Sequence, residues 1–119
     1  MPIYLYLLCI HWFADFVLQT RWQAENKSKN NIALSRHVLV YTTVLFLAGF
    51  PLVSRVIMNE WSYFVLLNGI LHFCTDYITS RITSRLYAKQ DYHNFFVVIG
   101  LDQLIHQLTL AFTMLYFFY

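Results

Sequence analysis

The chain has 119 residues, 59% of them hydrophobic and only 12% charged, with a formal net charge of +2. Charges this few cannot cover a soluble domain of that size, and so small a positive excess offers no surface for gripping nucleic acid. An aromatic content of 19% excludes disorder, and Cys9 and Cys74, each inside an apolar run, read as buried free thiols and not as a disulfide framework.

Four apolar stretches follow one another, at residues 3–18, 38–53, 61–79 and 95–119. A membrane-crossing helix needs roughly 20 apolar residues, and tilt or flanking side chains absorb the shortness of the first two. In a soluble bundle each helix would carry a charged face, yet residues 38–53 contain no charge. The predicted fold is therefore all-α, one integral membrane domain over residues 1–119 built as a four-helix transmembrane bundle. The first stretch lacks a basic leader and is interrupted by His11 and Asp15, so it is expected to stay attached. Gly49 and Pro51 mark the expected end of the second helix.

Basic residues orient the spans. Arg21, Lys27, Lys29 and Arg36 lie in the first connection, Arg81, Arg85 and Lys89 in the third, and only Arg55 in the second. The positive-inside rule places the first and third connections in the cytoplasm, with both termini on the other side of the membrane. Trp61, Tyr63, Tyr116 and Tyr119 then fall at the outer interface, where amphipathic rings prefer to sit. Arg81, Arg85 and Lys89, four residues apart, suit anionic lipid headgroups.

The polar residues inside the spans repeat one pattern. His11 and Asp15, His72 and Asp76, and Asp102 and His106 are pairs at i and i+4, each on one helical face. Gln19, Asn68, Ser80 and Thr109 extend these stripes, and His37 opens the second span at the same boundary. With a rise of about 1.5 Å per residue, His11, His72 and Asp102 lie on the order of 11 Å from the cytoplasmic ends, so the three stripes meet at one level. No Lys or Arg lies within a span, leaving histidines, protons, water or a bound cation to compensate three carboxylates. Imidazole and carboxylate are ligands of zinc, iron and manganese, which makes His11, Asp15, His72, Asp76, Asp102 and His106 candidate ligands, with Gln19, His37, Asn68 and Gln103 behind them. His72 and Asp102 are the expected ligands of one ion. His/Asp contacts that lock the bundle, or a proton relay, are the alternatives. Tyr41 reads as an interfacial phenol, and His93 as a surface histidine.

Four ordered blocks carry a resemblance: His11-x3-Asp15-Phe16-x2-Gln19-Thr20, then Lys27 and His37, then Asn68-x3-His72-x3-Asp76-x3-Ser80-Arg81, and Gly100-Leu101-Asp102-Gln103-x2-His106. Together they resemble a domain-of-unknown-function family of small bacterial and phage membrane proteins, over nearly the whole chain. The resemblance implies that His11, Asp15, Gln19, His37, His72, Asp76, Asp102, Gln103 and His106 form a shared site, and it assigns no reaction. Trp22 stands where the family pattern has a smaller apolar residue.

Three functions fit. A metal-dependent membrane hydrolase would use Asp15 or Asp102 as general base on a lipid-linked or amphiphilic substrate. A cation or proton pathway would use the same groups in transit, with a homo-oligomer building the pore. A structural or phage interaction protein would use them only to hold helices together.

Overall fold

A computed structural model describes residues 2–54 and 57–119, and among these all regular structure is helical. Helix α1 spans Pro2–Trp12 and continues into a π-helical turn at Phe13–Val17, closed by the Leu18 amide donating to the Phe13 carbonyl at 3.0 Å. Thr20 and Gln23 then form a reciprocal capping box that starts the short α2, Arg21–Asn26. Asn30 caps α3, Asn31–Gly49, by accepting from the Ile32 amide at 2.8 Å. Helix α4 covers Met58–Ala88 and α5 covers Tyr92–Phe118, joined by a tight turn in which Gln90 adopts a left-handed φ of 59°. Arg55, the lone basic residue expected in the second connection, lies outside the described residues.

Two of these helices, α3 and α5, are long and apolar enough to cross a membrane. Residues Ile3–Val17 make a shorter apolar helix. Helix α4 has the length but carries Asn68, His72, Asp76, Thr79 and Ser80 along its buried side. Helix α3 begins at Asn31 rather than at residue 38, because Asn30 satisfies its first free amides, so His37 lies inside the helix instead of opening it.

The helices are polar inside and apolar outside. His37, His72 and Asp76 are among the most buried side chains, while Leu39, Phe96, Phe112 and Leu66 are more than half exposed. Cys9 and Cys74 are exposed on the outer surface, contrary to the expectation of buried thiols, because each sits on the helical face opposite its neighbouring histidine. The apolar core is confined to one end of the bundle, where Leu7, Leu45, Trp61, Phe64, Leu110 and Met114 pack together.

Two close approaches fix α3 against α4. A Cβ added at Gly49 would overlap the Trp61 indole, whose Nε1 donates to the Phe46 carbonyl at 3.2 Å, and one at Gly69 would stand 2.5 Å from Thr42 Oγ1. Small residues that admit a neighbour in this way are how helices pack where no hydrophobic force joins them. Gly49→Val should therefore destabilise the detergent-solubilised protein by about 1–3 kcal/mol. Gly100, with nothing near its Cβ position, provides the contrast. Gly100→Ala should leave the thermal midpoint unchanged or raise it, since alanine is favoured over glycine in a helix by roughly 0.5–1 kcal/mol.

Candidate metal centre

The π turn, α3 and α4 bring Asp15, His37, His72 and Asp76 together, and all four are buried. His37 Nε2 lies 3.0 Å from Asp15 Oδ1, 3.1 Å from His72 Nε2 and 3.4 Å from Asp76 Oδ2. His72 Nε2 lies 3.3 Å from Asp15 Oδ1 and 3.6 Å from Asp76 Oδ2. A tetrahedral site with bonds of about 2.0–2.1 Å has edges of about 3.3–3.4 Å, so these five separations match the outline of one. Two imidazole nitrogens and two carboxylate oxygens this close together could hold a metal ion. The Nδ1 atoms of both histidines are buried without a partner, so each ring's nearest polar neighbours all lie on its Nε2 side.

Helix α5 supplies the adjoining layer. Gln103 Nε2 donates to Asp15 Oδ2 at 3.1 Å and to Asp102 Oδ2 at 3.0 Å, while its Oε1 stands 3.4 Å from His11 Nε2. The Thr79 hydroxyl donates to Asp102 Oδ1. His106 Nδ1 donates to the Asp102 carbonyl at 2.8 Å, and its Nε2 is 3.5 Å from Asp76 Oδ1. Two further groups can hold an ion, one of His11, Asp15 and His106, the other of Asp76, Asp102 and His106.

The structure separates His72 from Asp102, which were expected on one ion. They belong to different donor groups that share Asp76. His37, expected behind the ligands, stands in the four-residue group because α3 starts about two turns early and carries it inward. His11 has both ring nitrogens engaged, by the Tyr41 hydroxyl at 3.3 Å and by Gln103. Asn68 binds away from the cluster, donating to Thr113 Oγ1 at 2.8 Å, and Gln19 Oε1 is buried without a partner. Tyr41 is buried rather than interfacial and stacks on His72 with ring centroids 4.1 Å apart. His93 is exposed.

A cation from outside the spans also reaches the cluster. Lys27 Nζ donates to Asp76 Oδ2 at 2.8 Å, so one carboxylate already has a counter-charge that the count of residues within spans had left out. The Thr20-x-x-Gln23 capping signature, legible in the sequence, is what turns the chain back so that Lys27 points inward. Against three carboxylates one ammonium leaves an excess of two negative charges, the charge of one divalent ion.

Beside the cluster opens a cavity of about 600 Å³, with Asp15, Asp102 and Gln103 among its lining residues. Its walls are hydroxyl-rich, with Ser28, Thr79, Ser80, Thr83 and Ser84, and Lys27 and Lys29 also line it. Phe16, Phe95 and Ile99 add an apolar side.

No curated protein and no solved structure matches the chain. A family model does match, over residues 3–119, which takes in the His/Asp pairs, the capped turn that delivers Lys27 and the Gln103 bridge. The chain therefore belongs to the family described as protein of unknown function, DUF3307.

Proposed function

We propose that the chain is a multi-pass protein of the bacterial inner membrane whose four long helices enclose a divalent metal ion held by Asp15, His37, His72 and Asp76. The observation that carries this reading is the inverted distribution of polarity: a buried His/Asp cluster that meets the neighbouring cavity through Asp15, inside a surface of exposed leucine and phenylalanine. A large apolar exterior suits lipid, and ionisable groups inside a membrane face the bundle interior. The short α1 and the polar α4 fit the same scheme, since their polar residues turn inward. Lys27, Lys29, Arg85 and Lys89 put α2 and the α4–α5 turn in the cytoplasm, and both termini outside.

Zinc, iron and manganese share the ligand chemistry, and the tetrahedral outline favours zinc. The activity that fits best is hydrolysis of a lipid-linked or amphiphilic substrate. A bound ion would polarise the scissile group and lower the pKa of a water molecule. The chain's own residues do the rest. Lys27 and Lys29 attract an anionic head group, and Phe16, Phe95 and Ile99 accept the apolar part. Asp102, which accepts hydrogen bonds from Thr79 and Gln103, takes the proton of the attacking water. Gln103 holds Asp15 and Asp102 at a set orientation. Access is from one side, because beyond the Asn68–Thr113 contact the bundle is filled by Leu45, Trp61, Phe64, Leu110 and Met114. That plug favours an enzyme over a cation or proton pathway.

Three experiments test this reading. In a Cys9→Ser, Cys74→Ser background, a cysteine at Lys29 should resist a membrane-impermeant thiol reagent in intact cells and react after lysis. Labelling in intact cells would reverse the topology. Protein purified without chelator should contain bound metal, and His37→Ala or His72→Ala should weaken metal affinity by more than about 100-fold, because loss of an outer hydrogen-bond partner alone costs 10–100-fold. With a chromogenic amphiphilic ester, Asp102→Asn should lower turnover by about 10²–10⁴-fold while leaving metal at the four-residue group. Wild-type protein that binds no metal would sink the proposal.

A further inference from the structure

Asp76 presents its two oxygens to different neighbours. Oδ2 faces His37, His72 and Lys27, whereas Oδ1 faces His106 Nε2 at 3.5 Å. His106 is 3% exposed, and its Nε2 has no hydrogen-bond partner. Its tautomer follows from its other nitrogen: Nδ1 sits 2.8 Å from the Asp102 carbonyl, which can only accept, so Nδ1 carries the proton. If the ring is neutral, Nε2 presents a lone pair to a carboxylate oxygen in a water-poor interior, a clash that a proton on Nε2 or a bound cation relieves. Two acceptors do not face each other across that gap without a positive charge between them.

The second side of the same gap is Asp102, which with Asp76 and His106 forms a three-residue donor group. Asp102 also lines the cavity, so an ion there would keep open positions toward it. The competing group of His11, Asp15 and His106 is less suited, because both His11 nitrogens are already engaged.

Building on the single-ion reading, we infer that the cluster takes a second divalent ion at Asp76, Asp102 and His106, with Asp76 bridging the two. Carboxylate-bridged pairs of ions lie roughly 3.5–4 Å apart and clamp both the attacking and the leaving oxygen of a displacement. The three-residue site is then the one with positions open toward the cavity, and the ion at the four-residue site acts beside it through the bridging Asp76. A carboxylate has about four lone-pair positions, so Asp102 can bind the ion through one oxygen and still accept a proton from the cavity at the other. Two divalent ions together with Lys27 outweigh three carboxylates, and the positive excess selects an anionic head group.

The test is stoichiometry. Full-length protein in detergent is loaded with Mn(II), freed of excess ion, and measured for manganese per chain by mass spectrometry and for spin coupling by electron paramagnetic resonance. The expected result is about two ions per chain with an exchange-coupled spectrum, falling to about one ion and an uncoupled spectrum in His106→Gln and in Asp102→Asn. Circular dichroism and gel filtration check the fold. If His106→Gln fails to fold, Asp102→Asn at the cavity wall decides alone. A wild type holding about one ion, unchanged in the variants, overturns the second site and leaves the first intact. A wild type holding none removes both.

Discussion

The carboxylate of Asp15 organises the interior. One of its oxygens is shared by His37 of α3 and His72 of α4, and the other takes the amide of Gln103 from α5, so a single side chain of the π turn gathers the three remaining long helices. Removing a carboxylate from water costs several kcal/mol unless it is surrounded by donors or cations, and at 4% exposure Asp15 has little water to fall back on. The positions of the helices answer that demand. Asp76 repeats it on α4, and the capped turn around Thr20 brings Lys27 to meet it.

The two ends of the bundle obey different physics. At one end Trp61, Phe64, Leu110 and Met114 interlock, and Gly49 makes room for the indole. At the other end the contacts are hydrogen bonds and opposed charges, and much of the space is cavity. Apolar packing at one end holds α3, α4 and α5 together, and the cavity at the other end is lined by Asp15, Asp102 and Gln103. A wholly apolar interior would pack well and bind nothing, whereas a wholly polar one would leave four helices without a fixed register.

Much of this was legible from spacing. The i, i+4 pairs at 11/15, 72/76 and 102/106 announced three polar faces, and the apolar runs announced an all-helical chain, of which α3 and α5 are long and apolar enough to cross a membrane. What escaped depends on departures from helix periodicity or on distant contacts. The π turn at Phe13–Val17 contains no proline or glycine to betray it, yet it sets where Asp15 points. Hydropathy alone starts the second helix at residue 38 and leaves His37 one layer too far out, whereas the Asn30 cap starts α3 at Asn31. The division of His72 from Asp102 is set by how deeply α4 and α5 interpenetrate, which no single helix records. Lys27 was overlooked because a count of charges within spans ignores a long side chain reaching in from a turn.

Gln103 carries a consequence of its own. Both carboxylates beside it can only accept, so its amide nitrogen has to face them and its carbonyl oxygen has to face His11. The Nε2 of His11 is thereby the protonated nitrogen, its Nδ1 is the acceptor, and the Tyr41 hydroxyl is obliged to donate. One amide thus dictates the sense of every hydrogen bond from α3 through α1 to α5. The chain of donors runs in a single direction, from the phenol to the two carboxylates, and the arrangement behaves as a polarised wire whose negative end lies at the cavity.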